Sequence, residues 1–251
     1  MKTLLTVKDL CKTFSNGSVQ QHVLKNLNMD IYQGDFTVIM GNSGSGKSTL
    51  LYALSGMDRP TLGRIQYGEE EIAKYSNDKL AVFRRKHCGF VFQQNYLNDT
   101  MSVLDNIMVS GLLVSKDKKR IAKRAKELLL KVGLKEDIFS KFPVQLSGGE
   151  QQRVAVVRGV INQPEILFAD EPTGALNSQN TENVLNIFTE LNEAGQSIVM
   201  VTHDMKSARR ANRILYLSDG VITGELELGK YVTGDKERHK KLRAFLGEMG
   251  W

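Results

Sequence analysis

The chain has 251 residues, of which 41% are hydrophobic and 25% are charged, and its formal net charge is +6. This composition excludes an intrinsically disordered chain, and the length suffices for one sizeable core or for one core with a smaller subdomain. The moderate positive charge suits a membrane surface, but it also serves solubility alone. Cys11 and Cys88 form no CxxC motif and have no nearby pair of histidines, which excludes a disulfide framework and a cysteine-based metal site. A reducing cytoplasm fits this cysteine usage best.

The sequence contains no segment that we expect to enter a membrane. Its amino-terminal stretch carries charges at Lys2, Lys8 and Asp9 and lacks the apolar run of a secretory signal. No apolar stretch elsewhere reaches the length that spans a bilayer. If the protein serves a membrane process, we expect another chain to supply the membrane part.

The first part of the chain is predicted to form strands that lead to a helix. Short strands are predicted around two groups of apolar residues, separated by the turn Ser15-Asn16-Gly17. The groups are Leu4, Leu5 and Val7, then Leu24, Leu27, Met29 and Ile31. Phe36–Met40 is a continuous apolar run, typical of a buried parallel strand, and a glycine-rich turn joins it to a helix beginning near Lys47.

The rest of the chain alternates between helical and strand patterns. Residues 89–92 predict a strand, and helical spacing of apolar residues follows over Val103–Leu112 and over residues 121–132. Strands are predicted at 166–169, Ser197–Val201 and 214–217, alternating with polar helices such as Ser178–Glu193. This alternation indicates an α/β fold with a parallel sheet covered on both faces. The basic tail at 235–243 reads as a solvated helix face.

Residues 41–49, which we call the phosphate loop, fit the pattern G-x-x-x-x-G-K-[ST]. Glycines there let backbone N–H groups turn toward one anion, and the helix N-terminus adds partial positive charge. Lys47 is predicted to reach the β- and γ-phosphates of ATP, and the Ser48 hydroxyl to bind Mg²⁺. A glycine turn with an incidental lysine is disfavoured by the flanking strand and helix. The predicted nucleotide-binding residues are Gly41, Asn42, Ser43, Gly44, Ser45, Gly46, Lys47, Ser48 and Thr49.

The strand predicted at 166–169 is followed by two carboxylates, Asp170 and Glu171, and Pro172 stops the strand. Successive strand residues point to opposite sides, so we assign the two carboxylates different tasks. Asp170 is predicted to bind Mg²⁺, directly or through a water. Glu171 is predicted to orient and polarise the water that attacks the γ-phosphate.

A second glycine-containing segment occurs just upstream, where residues 146–153 read LSGGEQQR. It offers a serine hydroxyl and glycine N–H groups at the start of a helix, which is a second anion site in the same chain. A simpler interpretation, an N-cap at Ser147 with a glycine turn, describes the local structure but leaves the rest of the string unexplained. With this string the sequence resembles ATPases of the ABC family.

The resemblance covers about residues 4–225 and implies both a fold and an assembly. The implied fold is a P-loop NTPase of the RecA-like type, with a parallel sheet core, an N-terminal antiparallel β subdomain and an inserted α-helical subdomain. The ABC ATPase domain would span 1–230, with the helical subdomain at about 95–155, and a C-terminal basic tail would span 231–251. Residues 147–150, which we call the signature segment, would close over ATP held by a second copy, giving an ATP-sandwiched homodimer. Its residues are Ser147, Gly148, Gly149 and Glu150.

Three further positions resemble functional positions of the ABC family. Gln93 resembles the glutamine that contacts the metal and the attacking water, and Gln94 beside it leaves a second choice open. His203 resembles the histidine that hydrogen-bonds the γ-phosphate. Phe14 occupies the position of an aromatic ring that stacks on adenine, with an ordinary core phenylalanine as the competing interpretation. The resemblance thus implies Glu171, His203 and Gln93 as catalytic residues and Ser48, Gln93 and Asp170 as Mg²⁺ ligands.

One position departs from the family pattern. After Glu171 the family usually has an aspartate at the end of a SALD or GALD string, but residues 174–177 read GALN. Asn177 can still donate and accept hydrogen bonds, although it carries no charge. We therefore expect altered coupling between the two ATP sites, while hydrolysis is retained.

The resemblance is closest to ATPases of the macrolide-export and lipoprotein-release group. Within that group, the strings GALNS at 174–178 and GEMGW at 247–251 resemble bacitracin and lantibiotic resistance transporters. This implies a subunit on the cytoplasmic face of the cell membrane that energises a permease removing or releasing antimicrobial peptides. The alternative is a non-transport membrane machine of the cell-division or lipoprotein-release type.

A soluble ABC ATPase of DNA repair or translation is a third possibility. Such proteins usually have two ATPase units, a long coiled-coil insertion or zinc-binding cysteines, and this sequence has none of these. We therefore expect no nucleic-acid partner.

Overall fold

The structure, a computed structural model, describes residues 2–17 and 19–251. Its strands, in chain order, are β1 (Thr3–Asn16), β2 (Val19–Tyr32), β3 (Phe36–Met40), β4 (Leu62–Tyr67), β5 (Glu70–Glu71), β6 (Cys88–Phe92), β7 (Ile166–Asp170), β8 (Ser197–Val201), β9 (Arg213–Ser218) and β10 (Val221–Glu227). Its helices are α1 (Lys47–Leu54), α2 (Asn77–His87), α3 (Val103–Leu112), α4 (Lys118–Lys131), α5 (Gly148–Val160), α6 (Ser178–Glu193), α7 (Met205–Ala208) and α8 (Lys236–Glu248). Among the helices of this described part, none combines the length and the apolarity that a membrane crossing requires.

The chain divides into two compact units. Unit 1 contains residues 1–81 and 192–251, and unit 2 contains residues 82–191. The predicted limits of an ATPase domain at 1–230 and of a helical subdomain at 95–155 stay predictions, since this division follows different boundaries.

Unit 1 begins with an antiparallel sheet in the order β2-β1-β4-β5. Val7 lies opposite Met29 on one side and Ile65 on the other, and all three side chains are buried. The sequence predicted short strands here, but β1 and β2 each have 14 residues. Ser15 and Asn16 belong to β1, so the predicted turn is displaced toward Gly17. Register shifts near Asp9 interrupt the alternation, which explains why the sequence pattern appeared as shorter pieces.

A second group of strands in unit 1 places β3 between β8 and β9, parallel to both. Every residue of β3 and β8 is buried, as expected of strands that read as continuous apolar runs. β10 pairs with β9 in the antiparallel direction and so adds an antiparallel strand to the predicted parallel core.

Unit 2 contains the parallel pair β6 and β7 and a helical part. The helices α3, α4 and α5 share one apolar cluster, built around Ile107, Ala125, Leu129 and Val157. The bounds of α3 are those that the apolar spacing predicted, and the bounds of α6 are those of the predicted polar helix. The middle of the chain is therefore helical, as expected.

The basic tail forms α8, and its environment in unit 1 differs from the predicted solvated face. Leu242 and Leu246 are buried, and the Arg238 side chain is only 3% exposed. Burial lowers the pKa of Arg238. Its guanidinium N–H groups donate hydrogen bonds to backbone carbonyl oxygens. Those oxygens belong to Arg209, Ala211, Leu228, Gly229 and Lys230. From composition alone, Arg238 was one of several basic residues in the tail. Only the structure shows that its side chain is buried.

Candidate functional site

The predicted site residues are divided between the two units. Unit 1 contains Phe14, the phosphate loop and His203. Unit 2 contains Gln93, the signature segment and the pair Asp170 and Glu171.

The phosphate loop connects β3 to α1, as the sequence predicted, because β3 ends at Met40 and α1 begins at Lys47. Gly41 has φ 153°, a conformation that side chains with a Cβ rarely adopt. A Cβ at Gly41 would also lie 2.0 Å from the carbonyl oxygen of Leu217 in β9. The first glycine of the loop is therefore required both by its conformation and by the space around it.

The interior of the phosphate loop holds a cation and an unpartnered hydroxyl. Lys47 is 9% exposed, and its ammonium donates to the carbonyl oxygens of Gly41 and Asn42, both at 2.8 Å. Ser45 is buried, and its Oγ has no hydrogen-bond partner among the described residues. Because a buried hydroxyl without a partner is costly, a phosphate oxygen at this place would satisfy it. The residues present therefore fit a bound phosphate chain.

His203 lies just past the end of β8, at the exposed start of the loop before α7. The preceding Thr202 donates its N–H to the carbonyl oxygen of Ile39 in β3. Asp204 caps α7 by accepting hydrogen bonds from the N–H groups of Lys206 and Ser207. The histidine is thus held between a fixed strand end and a capped helix, in the same unit as the phosphate loop.

Phe14 lies in β1, opposite Gln21 of β2. Its side chain is 45% exposed, so the competing interpretation as a core phenylalanine is wrong. The Lys12 ammonium lies 4.8 Å from the ring centroid. An exposed ring face next to a cation suits stacking on a planar base, and that role remains a prediction.

Asp170 and Glu171 differ in backbone conformation, and not only in the side of a strand to which their side chains point. Asp170 is the last residue of β7 and is 9% exposed. Glu171 lies outside the strand, with φ 46°, a left-handed conformation that is uncommon for a residue with a side chain. The prediction of different tasks rested on strand alternation, which ends at Asp170. The left-handed turn at Glu171 is what separates the two carboxylates.

Gln93 directly follows β6 and lies against the segment after Glu171. A Cβ at Gly174 would be 3.0 Å from the side-chain nitrogen of Gln93, so the two residues are in close contact within unit 2. Both Gln93 and Gln94 are exposed, and this contact distinguishes Gln93 from its neighbour. The structure therefore brings Gln93 and the chain following Glu171 together.

The signature segment forms a reciprocal cap at the start of α5. The backbone N–H and the hydroxyl of Ser147 both donate to Glu150 Oε2, each at 2.8 Å, and the Glu150 N–H faces Ser147 Oγ at 3.4 Å. Hydrogen bonds from the Ser147 backbone and then from its hydroxyl lower the pKa of Glu150. The simpler N-cap interpretation is thus correct as a description of local structure.

Two residues near the start of α6 are linked to this segment. A Cβ at Gly149 would lie 2.3 Å from the Asn180 side chain, so only glycine leaves room for that contact. Asn177 Oδ1 accepts the Asn180 N–H at 2.9 Å and so caps α6. The residue that departs from the family pattern therefore has a local structural task.

One buried polar residue in this region was not predicted. Gln152 is 2% exposed in α5, three residues after Gly149. The sequence signal was its helical spacing with the buried residues Gly149 and Val156, which places an amide on an apolar face.

Comparisons with known proteins were made against family models, sequences and solved structures. The family model described as ABC transporter matches residues 24–174. An uncharacterised ABC transporter ATP-binding protein of Methanocaldococcus jannaschii is 44% identical over 219 residues, covering 87% of this chain and 97% of the relative. The lipoprotein-releasing system ATP-binding protein LolD of Aquifex aeolicus is 46% identical over 205 residues, covering 81% of this chain and 91% of the relative.

A longer relative and a solved structure complete the comparison. The macrolide export ATP-binding/permease protein MacB of Bartonella henselae is 41% identical over 222 residues, which are 88% of this chain and 34% of that relative. This chain thus spans about a third of MacB. The ATP-binding cassette MJ0796, solved as a dimer in a post-hydrolysis state with ADP and Pi, matches with TM-score 0.83 and 38% identity. The match covers 91% of this chain and 100% of the cassette, and it confirms the predicted fold class.

Proposed function

The chain belongs to the ABC transporter family, and on that premise we propose that it is the ATPase subunit of a transporter directed at antimicrobial peptides. The ATP-binding and ATP-hydrolysing activity follows from the family match and from the similarity to a cassette solved with ADP and Pi. The observation that carries this activity is the phosphate loop, where Gly41 admits no side chain and Ser45 Oγ has no hydrogen-bond partner in the described part of the chain.

We assign ATP binding to the residues of unit 1. Backbone N–H groups of the phosphate loop and the ammonium of Lys47 hold the phosphates, with the N-terminus of α1 adding partial positive charge. The exposed ring of Phe14 stacks on the adenine, which needs no hydrogen-bond readout. His203, at the exposed end of β8, donates a hydrogen bond to the γ-phosphate.

We assign the hydrolytic step mainly to residues of unit 2. Glu171 accepts a hydrogen bond from the attacking water and orients it toward the γ-phosphate, and Gln93 holds the same water. Ser48, Gln93 and Asp170 supply the hydroxyl, amide and carboxylate oxygens that suit Mg²⁺. When bound, Mg²⁺ neutralises charge that develops on the phosphate oxygens.

The signature segment has no second phosphate loop beside it in this sequence, and we assign it to the ATP of a second copy. Ser147, Gly148, Gly149 and Glu150 close over that nucleotide, so two identical composite sites form in a homodimer. The similarity to a dimeric cassette supports this assembly. Each subunit then completes the site of the other.

The transporter partner is a membrane permease, and we assign this subunit to the cytoplasmic face of the membrane. The names of two relatives support this assignment, since one is an ATP-binding/permease protein and the other belongs to a lipoprotein-releasing system. Antimicrobial peptides as the substrate class rest on the strings GALNS at 174–178 and GEMGW at 247–251.

A second candidate function is lipoprotein release or another non-transport membrane task. It is supported by the 46% identity to LolD, whose length this chain nearly matches. The two candidates share the same ATPase chemistry and differ only in what the permease recognises.

The test is co-purification from native membranes, followed by measurement of ATP turnover by the complex with bacitracin, a lantibiotic, a macrolide or a lipoprotein added. We expect the antimicrobial peptides alone to stimulate turnover, and the Lys47→Ala complex to turn over much less than the unmodified complex at the same sub-saturating ATP concentration. Stimulation by lipoprotein alone would support the second candidate and overturn the first. Turnover that none of the four additions changes would contradict the peptide assignment and would not contradict the ATPase assignment.

A further inference from the structure

Gln152 joins two segments that each border a predicted catalytic residue. Its side-chain nitrogen donates to the carbonyl oxygens of Phe92 and Pro172, both at 2.8 Å. Phe92 directly precedes Gln93, and Pro172 directly follows Glu171. All of these residues belong to unit 2. One amide group therefore spans the two chain segments that carry the water-positioning residues.

The orientation of this amide is fixed by its partners. Both partners are carbonyl oxygens, which only accept, so the NH₂ group of Gln152 must face them. Pro172 has no N–H, and Glu171 before it has left the β7 strand with φ 46°. The strand β7 has ended before this point, and the Pro172 carbonyl accepts its hydrogen bond from the Gln152 side chain instead of from a neighbouring strand.

Gln152 is itself held by a rigid helix. Its helical neighbours Val154, Ala155, Val156 and Val157 are fully buried, and Gln152 is 2% exposed. A side chain with this burial and two hydrogen bonds has one accessible arrangement, so displacement of α5 displaces both carbonyls with it.

The same helix begins at the signature segment. Ser147 is the N-cap of α5. Gln152 follows about one and a half helical turns later, in a helix that rises about 1.5 Å per residue. Gly149 also contacts Asn180 in α6, which follows Glu171 by a few residues. The segment assigned to the partner's ATP and the residues assigned to the chain's own ATP are thus joined through α5.

We propose that Gln152 is a positioning residue that couples the two ATP sites of the dimer, by transmitting closure of the signature segment to Gln93 and Glu171. This proposal rests on the proposed function, because it needs the signature segment to close on the partner's nucleotide. Occupancy of one site then sets the alignment of the water-positioning residues that serve the other site. An ordinary buried amide that only satisfies two carbonyls would affect stability without affecting this coupling.

The test replaces the amide with a side chain of similar length that cannot donate. Gln152→Met should lower kcat by roughly tenfold or more, because the water-positioning residues lose their alignment, while KM for ATP changes by less than about threefold. We expect the Hill coefficient for ATP to fall toward 1 in the same variant. Gln152→Asn, which is one methylene shorter and keeps a donor, should lie between Gln152→Met and the unmodified protein.

Asn162→Leu is the matched control. It also removes a side-chain amide hydrogen bond to a partly buried backbone carbonyl in unit 2, that of Ser110, away from the predicted site residues. Its melting temperature measures the cost of losing one such bond, and its Hill coefficient should equal that of the unmodified protein. If Gln152→Met does not fold, the comparison between Gln152→Asn and the unmodified protein decides the matter.

The outcomes separate this proposal from the proposed function. If the unmodified protein hydrolyses ATP and Gln152→Met matches Asn162→Leu in kcat and Hill coefficient, the coupling role of Gln152 is wrong. If the unmodified protein neither hydrolyses ATP nor forms an ATP-dependent dimer, the proposed function itself fails. A loss of kcat and cooperativity at unchanged KM supports Gln152 as the coupling residue.

Discussion

The phosphate loop and the signature segment both place glycines before a helix, yet different interactions hold them in place. The phosphate loop surrounds a cation, since the Lys47 ammonium donates to two of its carbonyl oxygens. The signature segment is held by an anion, since Glu150 accepts both the N–H and the hydroxyl of Ser147. A helix N-terminus attracts anions, and the Glu150 carboxylate already places one negative charge at the N-terminus of α5.

This difference fits the proposed roles, in which the phosphate loop binds nucleotide by itself and the signature segment acts on nucleotide held by a second copy. The phosphate loop presents positive charge and the unpartnered Ser45 hydroxyl to an incoming phosphate. The signature segment presents a hydroxyl that is already donating and a carboxylate that repels phosphate. We therefore infer that the signature segment engages only a phosphate that a phosphate loop already holds.

The largest expected effect is at Glu171, which belongs to neither segment and to which we assign the orientation of the attacking water. Glu171→Gln should lower turnover by about 10² to 10⁴-fold, the usual contribution of a positioned general base, while ATP binding is retained. The closed dimer should then accumulate with ATP and appear in size-exclusion chromatography. Near-normal turnover would contradict the assigned role. Glu165→Gln, which alters an exposed carboxylate bound to His87, is the control and should turn over normally.

The next effect concerns the close approach at Gly41. Gly41→Ala combines a disfavoured φ with a Cβ that meets the Leu217 carbonyl, and we expect a loss of about 3 kcal/mol or more in the free energy of unfolding. Gly44→Ala shares the positive φ but has open space around the added Cβ, so about 1–2 kcal/mol is expected. Urea denaturation measures both, and equal losses would show that the contact with Leu217 does not matter.

Removing the cation of the phosphate loop should weaken nucleotide binding directly. Lys47→Ala removes charge-assisted hydrogen bonds worth about 1.5–3 kcal/mol, or roughly 10 to 100-fold in affinity for ATP. Titration with a fluorescent nucleotide measures this loss, and Lys74→Ala, at an exposed position, is the comparison. Unchanged affinity would show that backbone N–H groups alone hold the phosphates.

The cap of the signature segment gives a smaller and pH-dependent effect. Ser147→Ala should cost about 1 kcal/mol of stability, the usual cost of removing an N-cap. Because the folded-state pKa of Glu150 is lowered, its stabilisation is present above the ordinary glutamate pKa and is lost as the pH falls through the folded-state value. The stability difference between the unmodified protein and Glu150→Gln should therefore shrink below about pH 4. Thermal melting over this pH range would reveal a constant difference if the cap carried no charge effect.

The smallest effect is expected at Asn177. Asn177→Asp keeps the acceptor for the Asn180 N–H, so the free energy of unfolding should change by less than about 0.5 kcal/mol. Asn177→Ala removes the cap and should cost about 1 kcal/mol. A loss in Asn177→Asp as large as that in Asn177→Ala would show that the added charge is not tolerated at this position.

The sequence predicted the strands and helices whose apolar pattern is uninterrupted. The bounds of β3, β8 and α3 matched because each has a continuous apolar run or a clear apolar helical period, and α6 matched the polar helix predicted between two strands. The long hairpin of β1 and β2 was predicted only in pieces, since the register shift near Asp9 breaks its alternation. The pattern of α2 was not recognised because the five charged residues of the whole helix outnumber its four apolar residues.

The site residues were predictable where they form one contiguous sequence motif. The phosphate loop and the signature segment are such strings, and their flanking helices begin at or next to the predicted residues. Gln152 was not predicted, because its task depends on two carbonyl oxygens that are distant in sequence. Nor did the sequence indicate the left-handed backbone of Glu171, which depends on the end of β7 and on the chain that follows.

The divided sequence of unit 1 has a consequence for how the protein is made. Unit 2 is one continuous stretch, so all of its residues are synthesised before β8. The strand β3, by contrast, is made early and must wait for β8 and β9, its parallel neighbours. Since domains fold as units during synthesis, unit 2 can fold while the apolar run Phe36–Met40 is still unpaired in the nascent chain. That strand is therefore the segment of this chain that a chaperone has most reason to shield during translation.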